Sequence, residues 1–290
     1  KYITLRCDDC KLMRKRGVAG DGKPIYESEF DPWGRQTVGS IAHAYSIASA
    51  PTETAEHGWL EFFVVLEHGL HGLPGRLREE FFGAKQGKNF EIAYCDRIAG
   101  NFTLSARTGG FESVFFVGTG TGITPFVSMI KDLHAGGGDG RSYTLLHTNR
   151  TVEELCYHEA LFEIEAAGRF DFMYVPTVSR PSGQATADKR IGQGRASNVL
   201  RHILDLPTKE DEKLVNAVGD VARAAAGLAL EHLVQPVLPS HLTAKGVRDR
   251  IDPARAVLLT CGNPASTADI NSTASNRRIR FEVEERQDSV

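Results

Sequence analysis

Gly118-Thr119-Gly120-Thr121-Gly122-Ile123-Thr124-Pro125 is the stretch on which the reading of this chain turns. It follows a continuous apolar run, Ser113–Val117, and opens an amphipathic one, Pro125–His134. A buried strand, a glycine turn and a helix in that order begin a nucleotide-binding α/β unit. The glycines let the backbone approach a pyrophosphate, and the N–H groups at the helix start face the anion. A glycine-rich turn with no ligand is the plain alternative. The threonines and Pro125 at the helix start make the segment more specific than a bare G-x-G-x-x-G.

Downstream, apolar and amphipathic segments alternate. Tyr143–His147 reads as a buried strand, Val152–Ala167 as a helix and Asp171–Val178 as a strand. Val199–Leu204 follows as a short helix and Ala256–Thr260 as a further strand. Strands alternating with helices predict a doubly wound parallel sheet. Thr208–Pro253 breaks the alternation: it is alanine-rich around Val221–Leu233 and interrupted by Pro236 and Pro239. A structureless loop of that length is uncommon in a compact domain, so residues 208–253 are expected to insert one or two helices between two strands.

Upstream the pattern differs. Tyr2–Leu5, Ala44–Ala48, Leu60–Leu66 and Phe102–Leu104 are short β-rich runs separated by glycine, proline and charged turns. Leu77–Phe82 is a short helical candidate after the turn Gly72–Gly75. Irregular strand spacing of this kind predicts an antiparallel barrel rather than a repeat. The expected organisation is a barrel domain over residues 1–108 and an α/β domain over residues 109–290, joined near Ala106–Phe111.

Bulk properties narrow the function. A formal net charge of -3 over 290 residues leaves no electrostatic footprint for nucleic acid or an acidic membrane. No apolar run reaches the ~18 residues that a membrane span needs. The chain begins at Lys1 with no signal-peptide pattern after it, as a trimmed N-terminus would. Five cysteines, an odd number and mostly far apart, argue against a disulfide framework and for a reducing, cytoplasmic setting. Cys7 and Cys10 form an isolated C-x-x-C, the spacing of a redox pair or of half a zinc site; without a second ligand pair or a βαβ context they read as ordinary thiols, and no metal site is expected. The plant-type iron–sulfur spacing is also absent.

Four segments in order give the chain a family resemblance. Gly118–Pro125 resembles the G-T-G-T-G-I-A-P loop of the ferredoxin–NADP reductase superfamily. Ala44-Tyr45-Ser46-Ile47-Ala48-Ser49 is similar to its flavin-binding R-x-Y-S motif. Ala99–Leu104 resembles the strand that closes the flavin barrel, and Cys261-Gly262-Asn263-Pro264 the C-G-x-P turn beside the nicotinamide. Together they span residues 40 to 270 or so, nearest to the bacterial flavoprotein reductases by Val178-Ser179-Arg180.

The resemblance implies FAD and NADP(H) as cofactors. Tyr45 would stack on the isoalloxazine and Ser46 would hydrogen-bond the flavin N5 edge. The plain reading of the same segment is a strand with one aromatic core residue. Where the family has an arginine clamping the flavin phosphates, this chain has His43 beside Ala44. An imidazole cannot make the bidentate guanidinium fork and holds phosphate in a pH-dependent way. Val64, Val65, Gly72, Leu73 and Pro74 correspond to contacts with the flavin tail. Pro74 stands where serine or threonine is usual and has no N–H to give. From the second domain, Thr121 would also touch the flavin.

Arg150 and Arg180 follow two expected strands, where ligands of open α/β sheets bind, and favour NADP over NAD. Ser179 sits beside Arg180. Arg195 resembles a third basic position, although a lone arginine there also reads as a solvated side chain. Cys261 would shape the approach of the nicotinamide carbon without attacking it; otherwise it is a small buried hydrophobe. Gly262, Asn263 and Pro264 complete its turn.

The implied activity is hydride transfer between NADP(H) and flavin, with single electrons going to or from a ferredoxin, flavodoxin or similar carrier. Two other readings stay open: the reductase component of an oxygenase, and a flavin- or nucleotide-binding module of the same fold without turnover. The tail is unlike the family's, with no aromatic residue after Phe281. That difference predicts a less covered flavin face and easier reaction with oxygen. Glu284 and Glu285 are candidate proton donors or simply solvated charges.

Overall fold

Ile3, Leu5 and Cys7 are buried while Arg6 and Asp8 are exposed, the period-two pattern of a strand with one face on a core. In the computed structural model, residues 1–18, 24–65, 92–183 and 188–284 are described, and they separate into two units. The described residues of Lys1–Ile47 and Glu61–Asn101 make the first unit, and those of Ala48–Leu60 and Phe102–Glu285 the second.

The first unit is antiparallel. β1 (Tyr2–Lys11) lies between β4 (Val38–Ser46) and β5 (Ala93–Tyr94). β2 (Met13–Val18) and β3 (Pro24–Ser28) form a separate hairpin. The β1–β4 register runs from Tyr2 opposite Ser46 to Cys7 opposite Ile41, which sets Tyr45 across from Ile3 and His43 across from Leu5. Isolated bridges join Ile47 to Phe62 and Tyr2 to Ala99.

The second unit contains α1 (Pro51–His57) and α2 (Leu104–Arg107), then β6 (Ser113–Thr119), a 3₁₀ turn (Gly120–Ile123) and α3 (Thr124–Gly136). It continues through β7 (Ser142–Asn149), α4 (His158–Ala167), β8 (Phe172–Val178), β9 (Gly192–Gln193) and α5 (Ala196–Ile203). After α6 (Lys209–Val215), α7 (Asp220–Glu231) and α8 (Ala244–Arg248) come β10 (Ala256–Cys261), α9 (Pro264–Asn276) and β11 (Arg280–Val283).

Its six strands pair in parallel in the order β11-β10-β6-β7-β8-β9. Every residue of β10 is buried, as expected of a strand covered on both faces. On one face Phe115, Val117, Leu146 and Val175 pack with Val199, Leu200, Val247 and Ile270. On the other, Phe116 stacks on Phe126 at 4.8 Å and Tyr174 meets the edge of Phe162 at 5.0 Å. Helices therefore cover both faces of the sheet. The chain winds outward from β6 to β9, then returns to β10 on the other side of β6. That reversal is a topological switch point, and the carboxyl ends of β6 and β10 flank the crevice where such sheets bind ligands.

The expected barrel-plus-α/β class matches the antiparallel first unit and the parallel second one. Individual elements depart from expectation. Phe102–Leu104 is not a strand: Thr103 Oγ1 accepts from Ala106 N at 3.4 Å and caps α2 instead. The helix expected from Val152 starts only at His158, because Tyr157 has φ 62 and Val152–Cys156 close turns. Of Leu60–Leu66, Phe62 makes a single bridge, and Leu66 lies outside the described residues with Leu77–Phe82. Residues 208–253 supply three short helices rather than one or two.

Candidate functional site

Within the second unit, the loop after β6 is shaped by contacts that only glycine permits. Gly120 has φ 57, and a Cβ at Gly118 would press on Ile123. Thr124 Oγ1 donates to the Thr121 carbonyl at 2.7 Å and closes the turn. Pro125 stands in the first turn of α3, where a missing N–H costs nothing. Neither the 3₁₀ turn nor α3 has a side-chain cap, so their leading N–H groups have no side-chain acceptor. A donor cradle of this kind suits a phosphate.

The turn after β10 interlocks with that loop. Cys261 is in register with Gly118. A Cβ at Gly122 would run into the Cys261 carbonyl, and one at Gly262 (φ 146) into the Thr119 hydroxyl. Asn263 Oδ1 accepts from Ala265 N at 2.9 Å, and Pro264 opens α9. The fold thus brings Thr119, Gly122, Cys261 and Gly262 together at the switch point.

The buried Cys261 thiol donates to Glu284 Oε2 at 2.8 Å. Glu284 is positioned by its own N–H on the Thr260 carbonyl, 3.2 Å away, in line with β11. The sequence pointed to Glu284 as a candidate proton donor or a solvated tail charge; its bond to a thiol 23 positions earlier comes from β11 pairing beside β10.

Arg150, Ser179, Arg180 and Arg195 lie at the carboxyl ends of three neighbouring strands, β7, β8 and β9. Ser179 N donates to the Asn149 carbonyl at 2.9 Å and Arg180 N to the Arg150 carbonyl at 2.8 Å. These bonds carry the strand pairing into the loops and bring the two arginines side by side. The Arg150 guanidinium is half-exposed and engaged by Glu154 at 2.9 Å. Arg180 and Arg195 are exposed, with Arg195 at the N-cap of α5.

The first unit presents His43, Ala44, Tyr45 and Ser46 on β4, the first two exposed and the others half-buried. Tyr45 packs edge-on to Phe62, with ring centroids 6.4 Å apart. Val64 and Val65 are half-buried just beyond Phe62. Gly72, Leu73 and Pro74 lie outside the described residues.

One polar cluster escaped the sequence reading. His147 Nδ1 lies 2.9 Å and His158 Nδ1 3.2 Å from the Tyr174 hydroxyl, all three within the core. Burial, reinforced by His158, pushes His147 down to about 3, and burial also lowers His158. Burial holds the Tyr174 phenol well above its ordinary range, so it stays protonated.

Residues 116–224 match the family described as the oxidoreductase NAD-binding domain. Over 169 residues the chain is 30% identical to a ferredoxin–NADP reductase from Azotobacter vinelandii, an alignment covering 56% of this chain. The chain spans 57% of that relative's length. Among solved structures, the CS-b5R domains of human Ncb5or in the NAD+ form are similar with a TM-score of 0.53 at 13% identity. That likeness covers 98% of this chain and 60% of the other, and it concerns the fold. Among the described residues, no helix is long and apolar enough to cross a membrane.

Proposed function

We propose that the chain is an FAD-dependent oxidoreductase of the ferredoxin–NADP reductase superfamily, a reading supported by the match of residues 116–224 to the oxidoreductase NAD-binding domain and by the likeness to a ferredoxin–NADP reductase. It moves hydride between NADP(H) and flavin and passes single electrons to or from a ferredoxin- or flavodoxin-type carrier. In this reading residues 1–108 hold the FAD and residues 109–290 the dinucleotide, and the protein works in the cytoplasm. The observation that carries the proposal is the interlock of Gly118–Pro125 with Cys261–Pro264 at the switch point of the sheet.

FAD, when bound, accepts two electrons with a hydride and can return them one at a time. The chain's own residues bind and orient. The leading N–H groups of the 3₁₀ turn, Gly120 and Thr121, would receive the pyrophosphate, while glycine at 122 lets the turn pack against the Cys261 carbonyl. Arg150, Ser179 and Arg180 would receive the 2′-phosphate, with Arg195 just past the next strand, β9, at the N-cap of α5. Cys261 sets the approach of the nicotinamide, its thiol oriented by Glu284. On β4, Tyr45 offers an aromatic face steadied by Phe62, Ser46 a hydroxyl, and His43 and Ala44 the start of the flavin-binding stretch.

Steady-state turnover with NADPH and NADH against a panel of one-electron acceptors tests the proposal. The expected result is FAD-dependent oxidation of NADPH in preference to NADH, with ferredoxin or flavodoxin as acceptor. Turnover only with a native oxygenase component would reassign the partner, and no turnover in FAD-loaded protein would overturn the reading.

A further inference from the structure

The C-x-x-C at Cys7 and Cys10 is left unused by the reductase reading. Residues three apart on a regular strand face opposite sides of the sheet. Here Cys7 is opposite Ile41 and Cys10 opposite Gly39, three steps on β1 against two on β4. The extra residue is a β-bulge, and it returns Cys10 to the face of Cys7. Both are buried, at 7% and 1% exposure. The Cys10 thiol donates to the Cys7 carbonyl at 3.4 Å. The Cys7 sulfur lies 3.5 Å and the Cys10 sulfur 4.0 Å from the same Asp8 carbonyl oxygen. The Ser40 hydroxyl on the Asp8 carboxylate fastens the bulge to β4.

Two thiols gathered around one carbonyl on one face of a strand are held near each other by the fold. We propose that Cys7 and Cys10 form a reversible dithiol–disulfide site, oxidised by hydrogen peroxide and reduced by a small thiol such as glutathione. One cysteine, as thiolate, attacks a peroxide oxygen; the O–O bond breaks, hydroxide leaves and a sulfenic acid remains. The second sulfur displaces that hydroxyl group as water, forming the S–S bond. Overall the two thiols give up two electrons and two protons, and the peroxide becomes two waters. In the reverse direction two glutathione molecules supply the electrons and leave as glutathione disulfide. Four and three residues beyond Gly39 and Ser40 respectively, β4 carries His43, so the site lies in the strand pair that positions His43–Ser46. It does not depend on the activity proposed above.

Trypsin cuts after Arg6 and Lys11 and so isolates both cysteines in one peptide, Cys7–Lys11. The test equilibrates the full chain with mixtures of glutathione and its disulfide, traps free thiols by alkylation, and weighs that peptide. The expected product is two hydrogens lighter, absent from Cys10→Ser, and also formed with peroxide. Its equilibrium constant should be at least roughly tenfold higher for the folded chain than for the chain unfolded in urea, because the fold holds the sulfurs together. A ratio of one or below would overturn the proposal. So would added oxygen or bound glutathione on either cysteine without the internal bond.

Discussion

Gly122 lies so close to Cys261 that the space of its missing Cβ is filled by the Cys261 carbonyl. The loop after β6 and the turn carrying Cys261 are therefore one packed unit, and a change in one is felt in the other. Gly122→Ala should destabilise the fold by about 1–3 kcal/mol, the usual cost of overpacking. It should also weaken NADPH binding. Calorimetric titration beside a denaturation curve checks this; unchanged affinity would show that the two loops are not coupled.

Arg180 is exposed at a strand end, whereas Arg150 beside it is already held by Glu154. Arg180→Ala should therefore lower the preference for NADPH over NADH more than Arg150→Ala does. A charged hydrogen bond of ~1.5–3 kcal/mol corresponds to a loss of tenfold or more. The ratio of kcat/KM for the two nucleotides measures it, with NADH turnover expected to hold steady.

The parallel core was legible because strands buried on both faces are continuous apolar runs. Ser113–Val117, Tyr143–His147 and Ala256–Thr260 each differ from the observed strand by no more than two residues at either end. β11 was not, since Arg280-Phe281-Glu282-Val283 is short, charged and paired on one side only. α9 is built from Pro-Ala-Ser-Thr-Ala-Asp-Ile and similar polar residues, with little apolar face to mark it. The bond from Cys261 to Glu284 depends on that hidden strand, so no local pattern could disclose it. The hydroxyl joining two buried histidines likewise bridges separate elements, and each residue alone reads as core.

His43 stands exposed on β4, where the resemblance places an arginine. His43→Arg should tighten FAD binding, by roughly tenfold if one charged hydrogen bond is gained. Fluorescence titration of flavin into the stripped protein checks it. Equal affinity in the two proteins would remove His43 from the flavin site.

His147 takes up its proton near pH 3 when folded but near its ordinary 6.5 when unfolded. Between those values the unfolded state binds more protons, so stability is complete above 6.5 and falls as the pH drops. The slope is about 1.4 kcal/mol per pH unit for this group, and His158 adds in the same direction. Urea denaturation between about pH 7 and about pH 5 should show the loss. His147→Gln should make the dependence shallower; an identical slope would assign the acid sensitivity elsewhere.

Hydride transfer between a nicotinamide and a bound flavin is tested most directly by the absorbance of FAD-loaded protein when NADPH is added without oxygen. The flavin band is expected to bleach, and Cys261→Ala to bleach more slowly while still binding NADPH. A protein that takes up FAD and NADPH but keeps its flavin band, or one that takes up no FAD at all, would contradict it.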